Sequence, residues 1–172
     1  MTNRAGTVFR VGAAVGCALA LAAGGVAGAA EIVRHPLPGG STFPIARAVE
    51  VPAGKTIIFH SGTTPAPLDA KAEPGSAAYW GDTRTQALST FARIKESLDA
   101  MKLDFGNVVA MTVYLVGDPA KGGRMDFEGF MAAYTQFFGT KEQPNLPARS
   151  TVQVAGLAAA GMLVEIEVQL AK

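Results

Sequence analysis

Two neighbouring segments near the end of the chain carry charged side chains in otherwise apolar surroundings. The first, NLPARSTVQVAGL at residues 145–157, places Arg149 at the start of an alternating run that is typical of a β-strand. The second, MLVEIEVQL at residues 162–170, carries Glu165 and Glu167. A guanidinium can bind a carboxylate through two parallel hydrogen bonds, and a carboxylate can accept a proton from water. These segments therefore offer groups for anion binding and for acid–base chemistry.

The two-residue period of a strand predicts which of these side chains share a face. Arg149 and Thr151 lie on one face of the first strand, and Glu165 and Glu167 lie on one face of the second. A hairpin closed by AGLAAAG would place Arg149 opposite Glu167 and diagonal to Glu165, while helices cover the valine-rich faces. Two interpretations remain open. The charges form a cross-strand ion pair on a solvated face, or the arginine binds a ligand carboxylate while a glutamate holds or activates a water.

Other residues fit familiar kinds of site less well. His60 precedes Ser61 and could act as a base, but a lone histidine at a strand end is more often a surface residue. Ser61 lacks the sharp turn of a nucleophile elbow, so we expect no catalytic triad. The chain has two histidines, His35 and His60, and a single cysteine, Cys17, so no metal site of familiar spacing is present in the sequence.

The first thirty residues have the layout of a secretory signal peptide. Arg4 and Arg10 give a basic start, a stretch rich in Ala, Gly and Val follows, and residues 27–29 form an A-x-A cleavage site. An uncleaved anchor would need a more apolar span, and a lipoprotein would not continue its apolar run so far beyond Cys17. We therefore expect residues 1–30 to be removed and the protein to be periplasmic or secreted, with no membrane association afterwards.

Removal of that segment changes the composition of the chain. Of 15 basic and 14 acidic residues, loss of Arg4 and Arg10 leaves 13 basic ones, so the net charge becomes about −1. This balance argues against nucleic acid as a partner. The cysteine is lost as well, so residues 31–172 form a single domain that its core or oligomerisation must hold together.

Apolar periodicity predicts the elements that position these groups, in the order β-β-α-β-α-β-β, with the first two strands forming a hairpin. The predicted elements are strands at 45–51, 55–62 and 107–117, helices within 82–106 and 126–139, and two final strands within 145–157 and 162–170. A long loop before the first helix contains Tyr79 and Trp80, which could cover a cleft or simply pack. The sequence thus predicts an α+β domain with a mixed sheet.

The motifs PARSTVQVAGL and VEIEV, preceded by VVAMTVYL and DFEGFMAAYTQFF, resemble the Rid family of reactive intermediate deaminases between about Phe43 and Ala171. The resemblance implies a chorismate-mutase-like α+β fold, with two helices on one face of the sheet, in a homotrimer with clefts between subunits. Active members hydrolyse reactive 2-imino acids and enamines to 2-keto acids and ammonia, and they need no metal or organic cofactor.

The resemblance also implies roles for individual residues. Arg149 would bind the substrate carboxylate, and Glu165 would orient the water or move a proton. Ser61 and Gly62 match the family's Ser-Gly strand end, whose backbone approaches the ligand.

Three further positions of the implied substrate site differ from the bacterial deaminase that is the archetype of the family. Thr151 stands where that archetype has a cysteine, and Met131 stands where it has an asparagine. Phe43 opens the stretch FPIAR, where the archetype has a tyrosine. Two classes of function stay open: an imine or enamine deaminase, or a non-catalytic module that uses the same cleft to bind small carboxylates or a protein.

Overall fold

A computed structural model describes residues 1–2 and 30–172 of the chain. The predicted signal peptide falls almost entirely within residues 3–29 and so lies outside the described residues, as does Cys17. In the part that the structure describes, no helix is both long enough and apolar enough to cross a membrane.

The described residues form six strands and three α-helices in the order β-β-β-α-α-β-α-β-β. They are β1 (Val33–His35), β2 (Ala48–Glu50), β3 (Ile57–Thr63), α1 (Ala77–Trp80), α2 (Thr83–Ala100), β4 (Val108–Val116), α3 (Phe127–Tyr134), β5 (Ala148–Val154) and β6 (Val164–Ala171). The strands form a two-stranded sheet, β1-β2, and a four-stranded sheet in the order β3-β6-β4-β5. In the larger sheet β4 and β5 are parallel and the other pairs are antiparallel, which confirms the α+β fold with a mixed sheet.

The hairpin predicted for the first two strands is wrong. Strand β2 pairs with β1 instead, and β3 pairs with β6 at the other end of the chain. Strand β1 was missed because it has only three residues and precedes a cluster of Pro and Gly. Arg34 anchors it, since Nη1 donates to the carbonyls of Val108 and Leu146 at 2.9 and 2.7 Å, and Nη2 donates to that of Gly106 at 2.9 Å.

The hairpin predicted for the last two strands is also wrong. Strand β5 pairs in parallel with β4, because α3 provides the crossover connection that a parallel pair requires. Strand β6 then lies between β3 and β4, so it does not pair with β5. Arg149 is therefore not opposite Glu167, as the hairpin required; its neighbour across the ladder is Met111.

Both long helices pack on one face of the larger sheet. Helix α2 begins at the predicted position, where the Asp82 carboxylate accepts a hydrogen bond from the Thr85 amide at 2.8 Å. Helix α3 ends at Tyr134, five residues before its predicted end, and turns follow it. The shared core combines apolar residues of the two helices with every second residue of β4 and β6: Phe91, Ile94, Leu98, Phe130, Tyr134, Met111, Val113, Leu115, Val164, Ile166 and Val168.

The faces of β5 are inverted relative to the prediction. Its register places Arg149 and Thr151 beside Met111 and Val113, which are buried under the helices, while Val152 is 43% exposed on the other side. We call that other side, which no helix of the described chain covers, the open face. The prediction for β6 is confirmed, because its valines and isoleucine are buried and its two glutamates lie on the open face.

The loop that precedes β6 is fastened to α2 by a buried amide. Gln86 is fully buried; its Nε2 donates to the carbonyls of Gly81 and Gly161 at 3.1 and 3.0 Å, and its Oε1 accepts from the Leu163 amide at 2.7 Å. Trp80 is also buried, and its indole N–H donates to Ala160 at 2.8 Å. Trp80 therefore packs against this loop and does not cover a cleft.

Candidate functional site

Arg149, the second residue of β5, lies in a box of aromatic rings under the helices. Its guanidinium carbon is 4.3 Å from the ring centre of Tyr134, 5.2 Å from Phe130, 5.5 Å from Phe43 and 5.9 Å from Phe127. Each distance is within the range of a cation–π contact, which stabilises a cation without neutralising it. Three of the rings come from α3, so the crossover helix that places β5 beside β4 also builds the box.

The guanidinium has few hydrogen-bond partners for its five N–H groups. Nη2 lies 3.3 Å from the Met131 sulfur, which is a weak acceptor, and Nη1 is buried without any partner. Across the described residues, no carboxylate forms an ion pair with Arg149. Arg149 is partly buried, and a cation whose Nη1 is shielded from water without an anion is costly, so this group calls for an anionic partner that the described residues do not place there.

Tyr134 is not that anion. Its hydroxyl donates to the Pro44 carbonyl at 2.8 Å, and burial raises the pKa of Tyr134 to about 12 even though Arg149 opposes the shift. The phenol is therefore neutral at physiological pH. Burial also lowers the pKa of Arg149, with Tyr134 opposing that change, but a guanidinium starts so high that it stays charged.

The residues predicted to line the site around Arg149 are brought together. The Phe43 ring is 40% exposed and stacks on Phe127 with 6.4 Å between ring centres. Thr151 lies two residues beyond Arg149 on the same face, and its Oγ1 is buried without a partner. Together with the Met131 sulfur, these side chains form mainly apolar surroundings for the Arg149 Nη1 and the Thr151 hydroxyl, which have no hydrogen-bond partners. We call Arg149, Phe43, Met131 and Thr151 the arginine group.

The other predicted residues meet at a β-bulge on the far side of the sheet. Between the pairs His60–Val168 and Thr63–Ile166, Ser61 and Gly62 lie opposite the single residue Glu167. A Cβ atom added to Gly62 would overlap Oε1 of Glu165 and would lie 2.9 Å from its Cδ. The carboxylate therefore rests directly on the glycine backbone, which only the absence of a side chain allows. We call Ser61, Gly62 and Glu165 the glutamate group.

The two groups lie on opposite faces of the sheet. Arg149 is on the edge strand β5 under the helices, and Glu165 is on β6 on the open face, with β4 between the two strands. The interpretation as a cross-strand ion pair is thus contradicted within the described chain, and the predicted diagonal contact with Glu165 is wrong. Glu167 instead accepts a hydrogen bond from the Tyr114 hydroxyl at 2.9 Å, which raises the pKa of that tyrosine.

A small cleft of about 240 Å³ lies on the open face beside the bulge. Its lining includes side chains that can donate or accept hydrogen bonds on three neighbouring strands: Ser61, Thr112, Glu167 and Gln169. Phe59, which is 76% exposed, stands at its edge. This cleft, which Ser61 of the glutamate group lines, has room for a water or a small polar ligand.

Sequence reasoning missed the role of the aromatic stripe on α3. Aromatic residues at helical spacing are typical of a core, and Phe130 and Tyr134 are buried there, yet they also enclose the Arg149 guanidinium. A prediction that β4, α3 and β5 form a parallel β-α-β unit would have placed these rings over Arg149, because the connecting helix packs on the strands that it joins. As for metals, residues 1–2 and 30–172 contain no cluster of three or more His, Cys, Asp or Glu side chains that could hold an ion.

One protein-family model and several solved structures match most of this chain. The family model described as endoribonuclease L-PSP matches residues 41–171. The YjgF gene product from E. coli is 28% identical, with a TM-score of 0.52, over 77% of this chain and 91% of that chain. E. coli TdcF, solved with bound serine, is 28% identical, with a TM-score of 0.53, over 81% and 94%.

One more distant structure supports the fold alone. YyfB from Yersinia pestis, a protein of the Rid family, is 22% identical, with a TM-score of 0.60, over 81% of this chain and 98% of that chain. A search of the curated proteins finds no match.

Proposed function

Because the chain belongs to the Rid (YjgF) family, which the endoribonuclease L-PSP model describes, we propose that it hydrolyses reactive 2-imino acids and enamines to 2-keto acids and ammonia. Its active site would be a cleft between subunits, with Arg149 as the carboxylate-binding residue and Glu165 as the acid–base residue. Neither a metal nor an organic cofactor takes part in this scheme.

The observation that carries this proposal is the Arg149 guanidinium, which has no anionic partner within the described residues and whose buried Nη1 has no hydrogen-bond partner. The chain provides an internal comparison, because burial also lowers the pKa of Arg34. The Arg34 guanidinium donates to three backbone carbonyls, so its burial serves the fold. Arg149 has an unused buried Nη1 and aromatic neighbours, so its burial serves no such structural purpose.

A carboxylate is the anion that suits this site. It matches the planar fork of a guanidinium through two parallel hydrogen bonds, and the buried hydroxyl of Thr151 can donate a further one. The rings of Phe43 and Phe127 provide an apolar wall for the rest of a small organic acid. TdcF was solved with serine, which carries a carboxylate, and this supports the same ligand class here.

A cleft between two copies would bring the two groups together. Arg149 is on the edge strand β5 and Glu165 faces the uncovered side, so a second chain that packs on the open face could place its own edge strand near Glu165. The exposed Phe59 and Val152 on that face favour such packing. We propose a homotrimer, and light scattering at micromolar concentration tests it: a mass of three chains is expected, and a stable monomer would remove the cleft.

In that cleft the chemistry would proceed by addition of water and loss of ammonia. Arg149 holds the substrate carboxylate and so fixes the C=N carbon. The Glu165 carboxylate accepts a proton from water as the oxygen adds to that carbon, and it returns the proton to the nitrogen. The Glu165 carboxylate then takes the hydroxyl proton of the resulting carbinolamine and passes it to the amine, so that the C–N bond breaks, ammonia leaves and the carbonyl of the 2-keto acid forms.

One observation favours the alternative, a binding module that lacks turnover. Phe43 and Met131 make the surround of Arg149 apolar, so the arginine group contains few polar side chains that could take part in proton transfer. The arginine group would still bind a carboxylate, whether or not hydrolysis follows.

Ammonia release separates the two functions. An amino acid oxidase generates a 2-imino acid in situ, and ammonia is followed with wild type, Arg149→Ala and Glu165→Gln. Deamination predicts release above the buffer rate in wild type and loss of it in both variants, with keto-acid binding retained by Glu165→Gln. Keto-acid binding by wild type without any release of ammonia would establish the binding module.

We also propose that residues 1–30 direct export and are then removed. The support is the basic start and the A-x-A site in the sequence. Mass spectrometry of the protein made in its native host should give an N-terminus at Ala30 or Glu31, whereas a soluble form that retains Met1 would contradict export.

A further inference from the structure

The imidazole of His60 connects helix α2 to the bulge that supports Glu165. Its register partner is the buried Val168, so the ring lies on the helix side of the sheet, opposite Glu165. Nε2 is 2.9 Å from the Ser97 hydroxyl on α2, and Nδ1 is 2.9 Å from the Ser61 carbonyl oxygen. Because of this placement the His60 ring faces away from the Glu165 carboxylate, and its hydrogen bonds go to α2 and to the bulge backbone.

The acceptor at Nδ1 fixes the state of the ring. A carbonyl oxygen only accepts, so Nδ1 carries the proton and donates it to Ser61. In the neutral ring Nε2 then accepts from the Ser97 hydroxyl. Both ring nitrogens are thus committed, one to the helix and one to the bulge, and the ring orientation is determined from both sides.

This clamp acts on the peptide bond that lies under Glu165. The Ser61 carbonyl and the Gly62 N–H belong to one planar trans peptide, so holding the carbonyl toward His60 turns the Gly62 N–H away from it. Gly62 is also the residue on whose backbone the Glu165 carboxylate rests. The Thr63 hydroxyl donates to the same carbonyl at 3.4 Å, which is a weaker restraint than the imidazole at 2.9 Å.

We propose that His60 is a positioning residue: its Nδ1–H holds the Ser61–Gly62 peptide of the bulge, and thereby sets the place of the Glu165 carboxylate. This inference rests on the proposed function for its effect on catalysis, but the clamp itself does not depend on turnover. Outer partners that orient a metal ligand from behind typically change activity by about 10-fold to 100-fold when they are removed, and we expect an effect at the lower end of that range for a hydrogen-bonded peptide.

Kinetics of three substitutions test the effect on catalysis. His60→Asn keeps an N–H donor bonded to Cγ, where Nδ1 is; His60→Gln keeps a polar group only near Nε2; and His60→Ala keeps neither. We expect kcat for ammonia release to fall about 10-fold in His60→Ala and His60→Gln with KM little changed, and Asn to restore most of it. The control is His35→Ala, since His35 is the other histidine and pairs with Glu50 on the separate small sheet.

Nuclear magnetic resonance tests the clamp without any activity. The ¹⁵N shifts of the imidazole in His35→Ala, at a pH above 8, should show a proton on Nδ1 and none on Nε2. The Gly62 amide resonance should move in His60→Ala and stay near its wild-type position in His60→Asn. If His60→Ala does not fold, Ser97→Ala should move the Gly62 resonance, because it frees the far side of the ring.

Several results would overturn the inference. A proton on Nε2 would remove the donor to Ser61. An unmoved Gly62 resonance, or an Asn variant as impaired as the Ala variant, would show that Nδ1–H does not hold the peptide. If wild type releases no ammonia, the proposed deaminase fails, while the nuclear magnetic resonance results still decide whether the clamp exists.

Discussion

Substitution of Gly62 by alanine should damage the proposed chemistry far more than the fold. The added Cβ would lie 2.9 Å from Cδ of Glu165, whereas carbon atoms in ordinary contact are about 3.5–4.0 Å apart. The Cδ atom of Glu165 must therefore shift by roughly 0.6–1.1 Å, and Oε1, which the Cβ would overlap, must shift further. A misplacement of about 1 Å can reduce a rate by about 100-fold, so we expect kcat to fall by roughly 10-fold to 100-fold.

The fold should tolerate this change, because the displaced atoms are the end of a flexible side chain on the open face. We expect the midpoint of urea unfolding to stay near that of wild type, and keto-acid binding through Arg149 to be retained. Gly156→Ala is the matched control, since a Cβ there meets nothing within 4 Å and both rate and stability should be unchanged. Wild-type kcat in Gly62→Ala would refute the view that the place of the Glu165 carboxylate matters.

Three further expectations concern stability, measured by urea unfolding. Arg34→Met should lower the free energy of unfolding by about 1–3 kcal/mol, because it leaves partly buried carbonyls without donors. Arg149→Met should leave the free energy of unfolding within about 1 kcal/mol of wild type or raise it. Equal losses in the two variants would contradict the different roles of these arginines. Gln86→Leu should lower it by about 1–3 kcal/mol, because the Leu163 amide loses its acceptor, and an unchanged midpoint would contradict the role of that amide. Asp82→Ala should lower it by about 1 kcal/mol at pH 7. The hydrogen bond from the Thr85 amide lowers the pKa of Asp82. The stability that the Asp82 carboxylate contributes is therefore complete above about pH 4 and is lost as the pH falls through the lowered pKa. A stability difference between wild type and Asp82→Ala that persists at the lowest pH would contradict this.

The elements of the fold could be read from the sequence, but their pairing could not. Helix α2 was predictable because Phe91, Ile94 and Leu98 recur at helical spacing and Asp82 provides an N-cap. A period-two pattern, by contrast, defines two faces of a strand and says nothing about which strand lies beside it. The insertion of β6 between β3 and β4 and the pairing of β2 with β1 therefore had no local signal, and the two predicted hairpins failed.

The sequence also could not show which face of β5 turns toward the helices, and that orientation decides where Arg149 lies. Apolar residues were expected to face the helices, yet Val152 is exposed and Arg149 is enclosed by the rings of α3. Residue types singled out Arg149, because a guanidinium in an apolar strand is unusual, but they left open whether it pairs with a glutamate or binds a ligand. They could not show that Arg149 and Glu165 lie on opposite faces, and that fact is what makes a second chain necessary for the proposed cleft.

Binding of a 2-keto acid to wild type and to Arg149→Met, measured by isothermal titration calorimetry with pyruvate and 2-oxobutyrate, tests the central claim most directly. Methionine keeps an apolar side chain in the aromatic box but removes the charge-assisted pair with the carboxylate. Loss of such a pair in a desolvated site should cost about 2–5 kcal/mol, which weakens binding by roughly 30-fold or more. Arg47→Met, a change at an exposed arginine, should bind like wild type. Equal affinity of wild type and Arg149→Met would contradict carboxylate binding by Arg149, and the proposed deaminase and binding module would both fail with it.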